Sequence, residues 1–108
     1  MPPTLGHYRQ AVVAVGATLH VAGQVPVDAS GLSVGVGDVD VQAALVTANL
    51  EAVLGAHGCR THDVIAVRVY ATTREAGTAW AKVRLDLFAD NPPASTLVYV
   101  AGLAHEDW

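Results

Sequence analysis

The sequence predicts an α+β domain in which two helices pack on one face of a mixed β-sheet. Three observations carry the prediction. Two short apolar runs, residues 10–15 and 19–22, flank Gly16 as the arms of a β-hairpin would. Two longer stretches carry apolar residues at the three- and four-residue spacing of helices. Each is followed by a β-branched run, first over 63–71 and then over 96–100. The order is strand, strand, helix, strand, helix, strand.

In the first arm, Ala11, Val12, Val13 and Ala14 form the apolar run, and Gly16 supplies a turn conformation that other residues resist. Leu19 to Ala22 forms the second arm, which Gly23-Gln24-Val25-Pro26 ends. Asp28-Ala29-Ser30-Gly31 is a turn cluster, followed by a short extended piece from Leu32 to Val36. Gly35-Val36-Gly37-Asp38 resembles a phosphate loop only superficially, since the full dinucleotide fingerprint is missing and no Gly-Lys-Ser/Thr follows. It reads as the approach to a helix cap.

Asp38 or Asp40 caps a helix over 41–56, with Leu45, Ala48, Ala52 and Val53 at helical spacing and Gly58 near its end. The run 63–71, with Val64, Ile65, Val67, Val69 and Tyr70, predicts an interior strand buried on both faces. Arg68 is its oddity. Thr72 or Thr73 caps a second helix reaching about Ala89, in which Trp80, Val83 and Leu87 recur at helical spacing despite Gly77. Pro92 and Pro93 then make a rigid corner into the last strand. Alternation puts Ser95, Leu97, Tyr99 and Ala101 on one face of that strand and Thr96, Val98 and Val100 on the other.

Composition bounds the function. The 108 residues suit one domain, near the small end for standing alone. A hydrophobic fraction of 52% with 15% charged residues is high for so small a body, and the excess reads as apolar surface buried between subunits. A net charge of −4, with six scattered Lys and Arg, gives no footprint for nucleic acid. Cys59 is the single cysteine, which excludes an internal disulfide and suits a reducing, cytoplasmic compartment. No apolar run approaches a membrane-spanning length, so no membrane partner is expected.

The chemistry-bearing residues form no self-evident catalytic set. The five histidines are His7, His20, His57, His62 and His105. His57 and His62 have the spacing of half a zinc finger, but one cysteine cannot supply the other half, so no metal is expected. His57 reads as a partner for the first helix's C-terminal dipole and His62 as a loop residue. His20 lies on the same strand face as Ala22, either as a neutral histidine bonded within the sheet or as a base in a cleft. Ser30, Ser33 and Ser95 sit in no nucleophile elbow.

Several motifs nevertheless occur together in order. They are Gly6-His7-Tyr8-Arg9-Gln10-Ala11-Val12, Val21-Ala22-Gly23-Gln24-Val25-Pro26-Val27-Asp28, Gln42, Asn49-Leu50, Gly58, Asp63-Val64 and Asn91-Pro92-Pro93-Ala94-Ser95-Thr96. The pattern resembles the RidA (YjgF) family over nearly the whole chain, with Gly-Gln-x-Pro and Pro-Pro-Ala as its specific signatures. The resemblance implies a chorismate-mutase-like α+β subunit that forms a homotrimer. Its sheets would pack into a central barrel, with three small-molecule clefts between subunits.

The resemblance also implies hydrolysis of enamines or imines to 2-keto acids and ammonia without a cofactor. In the family an arginine after the Pro-Ala pair clamps the substrate carboxylate, as its planar fork allows. Here Ser95 stands in that position, Ala22 replaces the family's serine, Leu97 its frequent cysteine and His7 its proline, while Tyr8 and the backbone at Gly23 are retained. The resemblance therefore implies a divergent hydrolase or deaminase of an imine, enamine or related small carbonyl compound rather than the standard 2-imino acid reaction. A non-catalytic metabolite- or partner-binding trimer is the alternative. Endoribonuclease activity, reported for some relatives, fits the acidic chain poorly. The expected site has Tyr8 and His20 as catalytic groups and Gly23, Ser95, Leu97 and Tyr99 against the substrate; Arg68 reads first as part of a barrel or interface ion pair, and as a further anion clamp only if its face reaches the cleft. The family's last strand, bearing a glutamate, is expected to begin where this chain stops.

Overall fold

Asp38 starts the first helix. Its Oδ1 accepts from the Val41 amide at 3.1 Å, satisfying one of the donors a helix leaves free at its N-terminus. The approach is a tight turn rather than a phosphate loop: Gly35 and Gly37 hold φ of 73° and 76°, and a Cβ on Gly35 would strike the Val41 side chain at 2.7 Å. The computed structural model describes residues 1–108, and its principal elements are α1 (Val39–Ala56), β1 (Ala66–Ala71), α2 (Arg74–Leu87) and β2 (Ala94–Tyr99), with a 3-10 turn over Thr61–Asp63.

β1 and β2 pair in parallel, in the register Val67 with Ser95, Val69 with Leu97 and Ala71 with Tyr99. Parallel strands need a crossover, and α2 supplies it. Thr73, not Thr72, is the cap: its Oγ1 accepts from the Ala76 amide at 3.1 Å. α2 packs on both α1 and β1, and the core lies around it, where Leu54, Ala71, Ala79, Trp80 and Phe88 are buried and Pro93 closes one end. Trp80 and Phe88 meet edge to face with centroids 6.3 Å apart. The α+β class stands, with both helices on one face of the sheet.

Four expectations need correction. The hairpin is not formed: between Gln10 and Gln24 no strand pairing occurs, and Val13 and Val15 are 92% and 100% exposed. A lone hairpin is marginal in water unless its apolar face has something to pack on, and here it has nothing within the chain. The sheet is consequently a two-stranded parallel pair rather than a larger mixed sheet.

β1 is not buried on both faces. Val67, Val69 and Ala71 turn toward α2, whereas Arg68 and Tyr70 are exposed on the other side together with Thr96 and Val98. α1 also faces the core through different residues. Thr47 and Leu54 are its buried positions, while Ala48 and Ala52 look outward.

The fourth correction concerns membranes. α1, with 18 residues and a mean hydropathy of 1.2, does reach the length and composition of a span. Only Thr47 and Leu54 of that helix are buried within the chain, and one side of it packs on α2.

The turn cluster behaves as its residues dictate. Asp28 Oδ1 accepts from the amides of Ser30 and Leu32 at 2.8 and 3.1 Å, Gly31 takes φ 77°, and a bridge joins Val27 to Ser33. Asn49 on α1 then fastens this turn to the helix layer. Its Nδ2 donates to the carbonyls of Val25 and Val27 at 3.1 and 3.0 Å, on either side of buried Pro26.

Candidate functional site at the head of the second strand

The proline corner sets the site. Pro93 is fully buried and its carbonyl accepts from the Arg9 amide at 2.9 Å, so residues 5–9 are laid beside the start of β2, with a parallel bridge from Arg9 to Ala94. Asn91 reinforces the junction, accepting from the Arg9 guanidinium and donating to the His62 carbonyl at 2.6 Å. One ring nitrogen of His7, Nε2, lies 2.8 Å from the Phe88 carbonyl, where its N–H donates. The residue where proline was expected thus caps the end of α2.

Tyr8 arrives between these two anchors. Its amide donates to Gly6 O at 3.0 Å and its hydroxyl accepts from the Leu5 amide at 3.3 Å, closing a tight turn. The Arg84 guanidinium stands over its ring, 5.7 Å from the centroid. The backbone bridge at the neighbouring residues, Arg9 and Ala94, brings Tyr8 to the same end of β2 as Ser95.

The remaining predicted residues are spread. Register puts Ser95, Leu97 and Tyr99 on the face of β2 turned to α2. Tyr99 lies along that helix, with the Arg74 guanidinium 5.1 Å from its ring centroid. His20 and Gly23 sit on the exposed segment before Pro26, and no hydrogen bond or bridge ties either to Tyr8 or to β2. Arg68, opposite Thr96, is on the open face of the sheet, away from Tyr99 and α2. His57 Nδ1 reaches the Val53 carbonyl at 2.8 Å, a local contact at the C-terminus of α1, and His62 sits in the 3-10 turn.

Two features escaped the sequence reading. Gly77, which interrupts the helical pattern of α2, lies directly under Tyr99: a Cβ there would collide with the hydroxyl and stand 3.0 Å from Cζ. Arg84 is the other. It occupies the middle of the stripe Trp80, Arg84, Phe88, at four-residue spacing, where a charged residue among apolar ones was the available signal.

The model of the endoribonuclease L-PSP family matches residues 1–108. A RutC family protein of Sulfurisphaera tokodaii is 33% identical over 102 residues, covering 94% of this chain and 81% of its own. The chain belongs to the Rid (YjgF) family.

Two solved structures agree with the fold. A Rid-family protein of unknown function from Yersinia pestis superposes with a TM-score of 0.85 at 32% identity, over 94% of this chain and 79% of that one. A putative endoribonuclease from Thermotoga maritima gives 0.76 at 36% identity, over 95% and 80%. In this chain the Pro-Pro corner brings the N-terminal segment that carries Tyr8 to β2. Ser95 leaves that point of the strand without a cation of its own.

Proposed function

We propose that this Rid protein is a cofactor-independent hydrolase of a small imine, enamine or related carbonyl compound, acting in a cleft completed by neighbouring subunits. The observation that carries the reading is the convergence of Tyr8 on the head of β2, held by the Arg9 to Pro93 hydrogen bond and the Arg9 to Ala94 bridge. In the reaction, water adds through oxygen to the C=N carbon while the nitrogen takes a proton. The resulting carbinolamine then expels ammonia and leaves a C=O group.

Tyr8 is the group suited to positioning that water and relaying its proton, because its hydroxyl can accept and donate. His20 and the Gly23 amide join it only if residues 10–24 pack differently in an assembly. Ser95, Leu97 and Tyr99 would line the substrate side.

Assembly as a homotrimer is part of the proposal. The open face of the sheet carries Tyr70 and Val98 at 55% and 41% exposure, and the unpaired segment carries Val13 and Val15, together an apolar surface that a second copy would cover. A cytoplasmic setting accords with a single free thiol at Cys59. The net charge of −4 gives an RNA polyanion little to hold, so a nuclease reading has weaker support.

The test is direct. Freshly generated imines of several amino acids and amines are mixed with the purified full chain, and ammonia and carbonyl product are measured. The expected result is release above the spontaneous rate that falls at least tenfold in Tyr8→Phe. Ligand-induced thermal stabilisation with no release across the panel would instead identify a non-catalytic binding protein and overturn the hydrolase reading.

A further inference from the structure

Tyr8 is held from both sides by one connector. On its C-terminal side the Arg9 amide donates to the Pro93 carbonyl at 2.9 Å, and on its N-terminal side His7 Nε2 donates to the Phe88 carbonyl at 2.8 Å. These two acceptors stand at the ends of residues 88–93, the link between α2 and β2. The segment that carries Tyr8 is therefore strung along that link, from the last turn of α2 to the head of β2.

The two attachments differ in kind. Arg9 is tied through its backbone, and any residue except proline supplies the same N–H. His7 is tied through its side chain, to a carbonyl 81 residues away. The carbonyls at a helix C-terminus have no partner in the helix, and Phe88 is 2% exposed, so this one lies where water is scarce. No other hydrogen bond within the chain reaches that oxygen.

The attachment at Arg9 alone would leave the Tyr8 backbone free to swing about the head of β2. The remaining bonds of the turn are internal: the Tyr8 amide donates to Gly6 O at 3.0 Å, and the hydroxyl accepts from the Leu5 amide at 3.3 Å. They fix the ring within residues 5–8 and not against the strand. The Arg84 guanidinium meets the ring face 5.7 Å from its centroid without a hydrogen bond. The directional tie on that side is His7.

We propose that His7 is the positioning residue of the candidate site, setting through Phe88 O where the Tyr8 hydroxyl stands relative to Ser95. It acts through Tyr8 and touches no substrate. Its effect on turnover rests on the hydrolase reading, whereas its hold on Tyr8 does not.

Two substitutions in the full chain separate the donor from the ring. His7→Phe keeps a ring and removes the N–H, whereas His7→Gln keeps an N–H at the end of a side chain of similar reach. Amide exchange read by mass spectrometry should quicken about two- to tenfold over residues 5–9 in His7→Phe, the loss of one neutral hydrogen bond, and stay near native in His7→Gln. Exchange over β1, α2 and β2 should stay native in both. On the imine panel His7→Phe should lower kcat about 10- to 100-fold with KM little changed, as misplacement of a reacting group does, and His7→Gln should recover most of the loss. In a Tyr8→Phe background His7→Phe should lower kcat no further.

Unchanged exchange over residues 5–9 in His7→Phe overturns the proposal. Quickened exchange spread over β1, α2 and β2 does so too, since His7 would then support the fold at large. His7→Ala serves where His7→Phe does not fold by circular dichroism, and failure of both to fold has the same meaning. Turnover indifferent to His7→Phe, or a defect that persists beside Tyr8→Phe, sinks the positioning role and spares the hydrolase. A native chain without turnover removes the hydrolase reading, and the exchange result still decides whether His7 holds Tyr8.

Discussion

Tyr99 lies over Gly77 with no room between them for a single carbon. The Arg74 guanidinium covers the ring 5.1 Å from its centroid, so a helix glycine, a strand tyrosine and a helix arginine form one stack joining β2 to α2.

This stack predicts a coupled pair of substitutions. Gly77→Ala alone gains helix propensity of about 1 kcal/mol but must push the Tyr99 ring outward, at an overpacking cost of about 1–3 kcal/mol. In a Tyr99→Ala background only the gain remains. A double-mutant cycle by urea denaturation should therefore show Gly77→Ala at least ~1 kcal/mol more favourable in that background, and additivity would contradict the stack.

Asn49→Ala should destabilise the chain by about 1–3 kcal/mol, because two carbonyls flanking buried Pro26 lose their donor together. Asn49→Asp should be at least as damaging, since a carboxylate offers those oxygens no N–H. The midpoint of urea unfolding, at unchanged slope, measures it.

The caps give a discriminating pair. Thr73→Ala removes the acceptor for the Ala76 amide and should cost about 1 kcal/mol, whereas Thr72→Ala, next door and without that bond, should cost less than half as much. Equal losses in thermal melts would mean that the side-chain cap contributes nothing.

On the open face of the sheet, Tyr70→Glu or Val98→Asp should leave the monomer fold intact and abolish assembly. Light scattering on eluted protein should show the native chain as a trimer and the variants at monomer mass. Variants that keep the native mass would rule out this face as the interface.

Much of the fold was legible because local chemistry decides it. Asp38 and Thr73 cap where short polar side chains precede periodic runs, Gly35 and Gly37 turn where only glycine fits, and Pro92-Pro93 makes the corner into β2. The hairpin was misread because its pattern specifies strands but not their partner. Residues 10–24 are apolar enough for a sheet, and this chain offers them no surface.

The double burial predicted for β1 failed for the same reason. Val67, Val69 and Ala71 met α2, and the alternate residues found nothing. At the candidate site, Tyr8 and Ser95 were visible as motif positions, and the Arg9 to Ala94 bridge shows how the chain draws them to one place. Arg84 was not, since its place over the Tyr8 ring depends on how distant segments meet, which no spacing rule reports.

Asn91 has a consequence of its own. One carboxamide grips the Arg9 guanidinium with its oxygen and the His62 carbonyl with its nitrogen, so the position of the N-terminal turn is indexed to the 3-10 turn that follows α1. The connector between α1 and β1 thereby acts as a gauge block for Tyr8. Substitutions in that connector are therefore placed to move Tyr8 relative to the head of β2, and a comparison of site residues alone would miss them.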